Sequence, residues 1–156
     1  MNKSVILILC TLFTIIVMIS SCSNKLDQPN FPGLRCDLNG TEYVADTAYY
    51  EVNSGITIYG YTGSNQRFKF FLLRDNKDTT GNFSLDTSGV GNVAYYTDAG
   101  GTLYQSISGS VSISKFYNDS LSQIVNATFS FTGRVPGASG NTVDIQYGYM
   151  NNIPRR

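Results

Sequence analysis

From Leu103 to Ser114 the chain alternates strictly. Leu103, Ile107, Val111 and Ile113 share one parity, and Tyr104, Ser106, Ser108, Ser110, Ser112 and Ser114 share the other. Successive strand residues point to opposite faces, so a period of two held over a dozen residues predicts a long strand with a core face and a serine-lined wet face. The run Leu121 to Phe131 repeats the pattern, with Val125, Ala127, Phe129 and Phe131 set against Asn126, Thr128 and Ser130. These two stretches are expected to form the central hairpin, with Lys115 to Asp119 as the loop between them.

The same period organises the rest of the chain. Leu34 to Leu38 and Thr41 to Ala45 flank Asn39-Gly40, the strongest short hairpin signal, because both central residues of a type I′ turn need positive φ. Strands follow at Ala48 to Val52, at Ile56 to Tyr61 with Ile56 and Ile58 opposite Tyr59 and Tyr61, and at Arg67 to Leu73 with Phe68, Phe70 and Leu72 opposite Arg67 and Lys69. Short strands are expected at Phe83 to Leu85 and Val93 to Thr97, and a closing strand at Val143 to Tyr149 after the Pro136-Gly137 loop. No helical period is present. The fold class is therefore all-β: an antiparallel meander of about nine strands that curls or splits to hide its apolar faces, giving a β-sandwich or flattened barrel.

Domain organisation follows from the N-terminus. Lys3 precedes an uncharged run from Val5 to Ile19, apolar but for Thr11 and Thr14, which ends in Ser20-Ser21-Cys22. A fifteen-residue run is short of the roughly 20 apolar residues that a spanning helix needs, and the layout is that of a secretory signal peptide. Ile19-Ser20-Ser21-Cys22 resembles a bacterial lipobox, in which an aliphatic and two small residues precede a cysteine that is acylated and becomes the new N-terminus. Residues 1–21 are thus read as signal peptide and Cys22 as the lipidated residue, held in the membrane by its acyl chains. Residues 22–32 are polar, contain Pro29 and Pro32, and read as a flexible tether. Residues 33–150 form a single β domain and residues 151–156 a frayed basic tail.

Several chemistries are excluded or weakened. The chain has no histidine, which removes Ser-His-Asp and Cys-His catalysis and any histidine-ligated metal. Its 11 basic and 11 acidic side chains balance, so nothing argues for nucleic acid as a partner. Cys36 alternates with Leu34 and Leu38 and reads as a buried small hydrophobe. Asp75, Asn76 and Asp78 miss the EF-hand spacing and read as a turn. Gly89-Val90-Gly91 lacks the third glycine and the helix of a dinucleotide loop. Glu42 and Glu51, the only glutamates, leave a carboxylate-dependent hydrolase as the third reading. No catalytic residue, metal or cofactor is expected.

The positive hint is aromatic. Tyr49, Tyr50, Tyr59, Tyr61, Tyr95, Tyr96 and Tyr104 fall partly on faces opposite the aliphatic residues. If they cluster, they would offer rigid, polar-tipped surface to a glycan, a peptide or another small ligand. Cross-strand tyrosines that merely cover and stiffen a half-wet sheet are the competing explanation.

The order of motifs is also informative. Ser20-Ser21-Cys22-Ser23, the hairpin Asp37 to Tyr43, the strand entry Gly81 to Leu85 and the run Ala127 to Gly133 together resemble the small lipoproteins of Bacteroidota-type bacteria that carry a β-rich domain of unknown function. That resemblance implies an exported outer-membrane lipoprotein, facing the periplasm by default and the cell surface as the alternative, because Ser23 to Asp27 lacks the acidic run of surface-directed relatives. It also suggests O-glycosylation at Asp46-Thr47-Ala48, Asp78-Thr79-Thr80 and Asp119-Ser120-Leu121. The function it implies is a lipid-anchored envelope protein with a binding or structural domain, the alternative being an accessory glycan or small-ligand module on a tyrosine-rich face.

Overall fold

A computed structural model describes residues 33–73, 80–85, 91–118 and 123–156. The expected lipidation site Cys22, the signal peptide, the tether, the Asp75 to Asp78 turn and two of the three suggested glycosylation sites lie outside the described residues.

The described chain is all-β, with ten strands: β1 (Gly33–Leu38), β2 (Thr41–Val44), β3 (Thr47–Val52), β4 (Gly55–Tyr61), β5 (Arg67–Leu73), β6 (Gly81–Ser84), β7 (Val93–Thr97), β8 (Leu103–Asn118), β9 (Gln123–Arg134) and β10 (Thr142–Pro154). Nine of them form one antiparallel path in the order β2-β1-β10-β9-β8-β7-β5-β4-β3, and β6 pairs separately with β8. Between β3 and β10 the chain meanders as expected. The β1–β2 hairpin then docks on β10, so β2 and β3 are the two ends of the path.

Only Ala45 and Asp46 connect those two end strands. Two residues allow about 11 Å between Val44 and Thr47, so the sheet has to curl until its edges approach each other. The amide of Ala45 donates to the carbonyl of Leu34 on β1 (2.8 Å), and the amide of Asp46 donates to that of Tyr61 on β4 (2.8 Å). The end of β10 adds to the closure through a parallel bridge between Tyr50 and Arg155 and a bond from the Arg156 amide to the Tyr50 carbonyl (2.9 Å). The result is a curled half-barrel made of one continuous sheet, which answers the choice between sandwich and barrel.

The Asn39-Gly40 turn has positive φ at both residues, 51° and 82°, as a type I′ turn requires. Inside the curl lie Leu34, Tyr50, Ile56, Ile58, Phe68, Phe70, Leu72, Val111, Val125, Phe129, Ile145 and Ile153. Phe68 and Phe70 from β5 meet Phe129 and Phe131 from β9 with ring centroids 4.7 to 6.1 Å apart. Each such buried ring contributes about 1.5–3 kcal/mol of transfer free energy. The parities expected for β4, β5 and β9 are those observed.

Strand β8 departs from its expected single parity. Bulges between Ser106 and Ser108 and between Ile113 and Lys115 each insert one residue, and each insertion moves the following residues to the other face. Leu103 is accordingly 44% exposed and Ser106 is buried, whereas Val111 and Ile113 still face inward. The second bulge also carries the strand through Lys115 to Asn118, where a loop was expected.

Strand β10 behaves in the same way. Bulges after Ile145 and Met150 turn Gly148, Met150 and Ile153 inward and leave Tyr147 outside. Residues 151–154, read above as part of a frayed tail, continue this strand and bury Ile153 completely. The domain therefore extends through the expected boundary at residue 150.

Candidate functional site

The outer face of β3, β4, β5, β7 and β8 carries two rows of side chains. In the first, Tyr49 pairs with Tyr59, Tyr59 with Lys69, Lys69 with Tyr95, and Tyr95 with Gln105. In the second, Tyr61 pairs with Arg67, Arg67 with Thr97, and Thr97 with Leu103. Directly opposed residues in antiparallel strands bring their Cβ atoms to about 4.5–5.5 Å, so Lys69 stands between two tyrosines. Alternation on each strand produces this order, because the residues of opposite parity on β4 and β5 include the buried Ile56, Ile58, Phe68 and Phe70.

Tyr49, Tyr59 and Tyr61 form a stack of their own. Their centroids are 5.0, 6.0 and 6.1 Å apart and their planes lie within 30° of one another. The hydroxyls of Tyr49 and Tyr61 are 3.5 Å apart, and the Arg156 guanidinium lies 4.9 Å over the Tyr49 ring. Partial burial and the Tyr49 hydrogen bond push the Tyr61 phenol up to about 12. Burial, with help from Glu51 and Tyr49, pushes Tyr59 up as well. The three rings pack against one another in a half-buried triangular cluster on the outer face.

Tyr95 differs. Among the described residues it stacks on no other ring, and it lines a groove of about 570 Å³ with Arg67, Lys69, Thr97, Gly101 and Leu103. Neither Arg67 nor Lys69 makes an ion pair among the described residues. The far wall is set by the Asp98 to Thr102 turn, where the Thr102 amide donates to the Asp98 carboxylate (2.8 Å) and the Gly101 amide to the Asp98 carbonyl (3.0 Å). The groove thus brings together the half-buried Tyr95 ring, an apolar wall at Leu103 and two exposed cations that form no ion pair among the described residues.

The seven candidate tyrosines do not form one patch. Tyr49, Tyr59, Tyr61 and Tyr95 share the outer face. Tyr50 and Tyr96 belong to the core: the Tyr50 hydroxyl donates to the Tyr117 carbonyl (3.0 Å), and the Tyr96 hydroxyl accepts from the Gln66 amide (2.9 Å). Tyr104 packs half-buried against Tyr96, with centroids 5.9 Å apart. The physical reason is the strand period itself, since adjacent tyrosines such as 49 and 50 or 95 and 96 point to opposite faces. Arg67, Lys69, Thr97 and Leu103 were not singled out as site residues from the sequence; the shared outward parity of Arg67 and Lys69 was the available signal.

A second open groove, of about 550 Å³, lies on the outer face of β8, β9 and β10. Its floor is the serine-rich face, with Ser110 opposite Ser130 and Ser112 opposite Thr128, and Tyr147 and Asp144 stand at its side. The Asp144 carboxylate accepts from the Gln146 side chain (2.5 Å) and the Thr132 hydroxyl (3.5 Å). Among the described residues no cation lines this groove.

Other residues are placed simply. Cys36 is 2% exposed and free, and burial with the nearby Asp37 pushes its thiol up to about 12. Glu42 pairs with Arg35, and Glu51 lies on β3. Among the described residues no three of His, Cys, Asp and Glu converge as metal ligands. Residues 30–154, which take in all ten strands, match the model of a family described as a domain of unknown function, DUF6252. Comparison with curated proteins and with solved structures finds no match.

Proposed function

We infer the role of this chain from the premise that it belongs to the DUF6252 family, a domain of unknown function: it is a lipid-anchored, non-catalytic binding module of the bacterial cell envelope. Its ligand sits in the groove between Arg67, Lys69 and Tyr95. The observation that carries this reading is the contrast on one face, where three tyrosines stack on each other while Tyr95 lines a groove beside two cations and, among the described residues, neither the ring stacks nor the cations form ion pairs. An aromatic face with polar groups at its rim is the usual chemistry of a small-ligand site.

The anchor rests on Val5 to Cys22 and the tether on residues 22–32. Fatty-acid labelling in the native host tests it: the wild-type chain takes up label, Cys22→Ala does not, and label retained by Cys22→Ala contradicts the anchor. Protease shaving of intact cells then separates periplasmic from surface attachment. For the groove, the detergent-solubilised full chain is run through native gels containing dextran, xylan or polygalacturonate. Retardation by at least one polymer, lost in Tyr95→Ala and kept in Tyr147→Ala, is the expected result; free passage through all three, or equal retardation of Tyr95→Ala, contradicts it.

A purely structural role is favoured for Tyr49, Tyr59 and Tyr61 alone, because their mutual stacking stiffens β3 against β4 and leaves little ring face for a ligand.

A further inference from the structure

The charge of the groove narrows the class of ligand. We propose that it holds a carboxylate-bearing saccharide, a hexuronate unit within a polysaccharide chain, with the sugar ring on Tyr95 and its carboxylate between Arg67 and Lys69. This rests on the reading of the groove as the binding seat and goes beyond it in naming the ligand chemistry.

Arg67 and Lys69 are two residues apart on β5 and share its outer face, which sets their Cα atoms about 7 Å apart. Among the described residues no acidic side chain lines the groove; the Asp98 carboxylate in the adjoining turn accepts the Thr102 amide, and Glu51 lies a row away on β3. A guanidinium presents paired donors that match a carboxylate, and the Lys69 ammonium supplies a second, compact charge. Tyr95 and Leu103 supply the apolar surface on which the C–H face of a pyranose lies. Lys69 and Tyr95 stand directly opposite each other on β5 and β7, about 5 Å apart, which sets one sugar ring beside one positive charge.

Membrane headgroups fit less well. A polybasic patch that holds an anionic bilayer brings about four to eight Lys or Arg together, and this groove has two. Nucleic acid is disfavoured by the balanced charge of the chain.

The test is isothermal titration of the full chain in neutral detergent with octagalacturonate and with its fully methyl-esterified form, which keeps the rings and removes the charge. The free acid is expected to bind about tenfold or more tighter than the ester, with Lys69→Gln and Arg67→Gln each losing about tenfold toward the acid and little toward the ester. Tyr95→Ala weakens both forms. Lys69 is exposed, so Lys69→Gln is expected to keep the wild-type urea midpoint, which separates a lost contact from a lost fold. Equal binding of acid and ester, both abolished by Tyr95→Ala, overturns the anionic ligand and leaves the groove standing. Acid binding that neither Tyr95→Ala nor Lys69→Gln changes overturns the groove and the proposal together. Binding to neither form overturns the proposal, as does Lys69-dependent capture by phosphatidylglycerol vesicles in preference to the octamer.

Discussion

The backbone amide of Ala94 on β7 donates a hydrogen bond to the hydroxyl of Ser106 on β8, at 3.1 Å, and Ser106 is completely buried. The β7–β8 ladder runs only from Leu103 to Gln105, so the serine side chain takes over where the backbone pairing stops at the first β8 bulge. A serine on the inner face is thereby explained: it satisfies a buried donor that the bulge would otherwise strand.

Replacing Ser106 with Ala strands that amide. Leaving a buried donor unpaired costs about 1–3 kcal/mol. Urea denaturation of Ser106→Ala is expected to show a lower midpoint with an unchanged m-value. A midpoint equal to wild type contradicts the role given to this hydroxyl.

The bulges also explain what was legible in the sequence. Alternation alone placed Ile56 and Ile58, Phe68 to Leu72 and Val125 to Phe131 correctly, because no bulge inserts a residue into these strands themselves; the extra residues lie on β8 and β10. It failed for Leu103 and Ser106, since Ser-Ile-Ser-Gly-Ser fits either parity and nothing local marks the inserted residue. Ile153 was missed for a related reason: the bulge after Met150 interrupts the period just where the strand continues. The site was half legible. The split of Tyr49 from Tyr50 and of Tyr95 from Tyr96 follows from the strand period, but which strand neighbours which, and hence that Lys69 falls between Tyr59 and Tyr95, follows only from the sheet order.

Gly148 allows β10 to close on β9. A Cβ placed there would lie 2.5 Å from three atoms of the Phe129 ring, so one of the two has to move. Gly148→Ala is expected to lose about 1–3 kcal/mol by overpacking, and a second substitution, Phe129→Leu, to return part of that loss in a double-mutant cycle. Additive losses in the cycle would contradict direct contact.

High pH weakens the fold. Burial, and then Asp37, raise the Cys36 thiol from an ordinary value of 9.0 to about 12, so the folded chain holds this proton where the unfolded chain releases it. The unfolded state then binds fewer protons, and stability falls as pH rises from about 9 toward 12, with no effect below that window. Tyr43, Tyr50 and Tyr96, all raised chiefly by burial, act in the same direction. Urea midpoints measured from pH 8 to 11 are expected to decline, and Cys36→Ala to make the decline shallower. A pH-independent midpoint, or an identical slope in Cys36→Ala, contradicts this account of the buried thiol.

The seat of binding is tested most directly by mapping it. The 15N-labelled chain titrated with octagalacturonate is expected to shift amides at residues 67–69, 95–97 and 101–103, flanking the Arg67, Lys69 and Tyr95 groove. Shifts concentrated instead at residues 108–112, 128–132 and 144–149, around the serine-floored groove, or no shifts at saturating octamer, would contradict it.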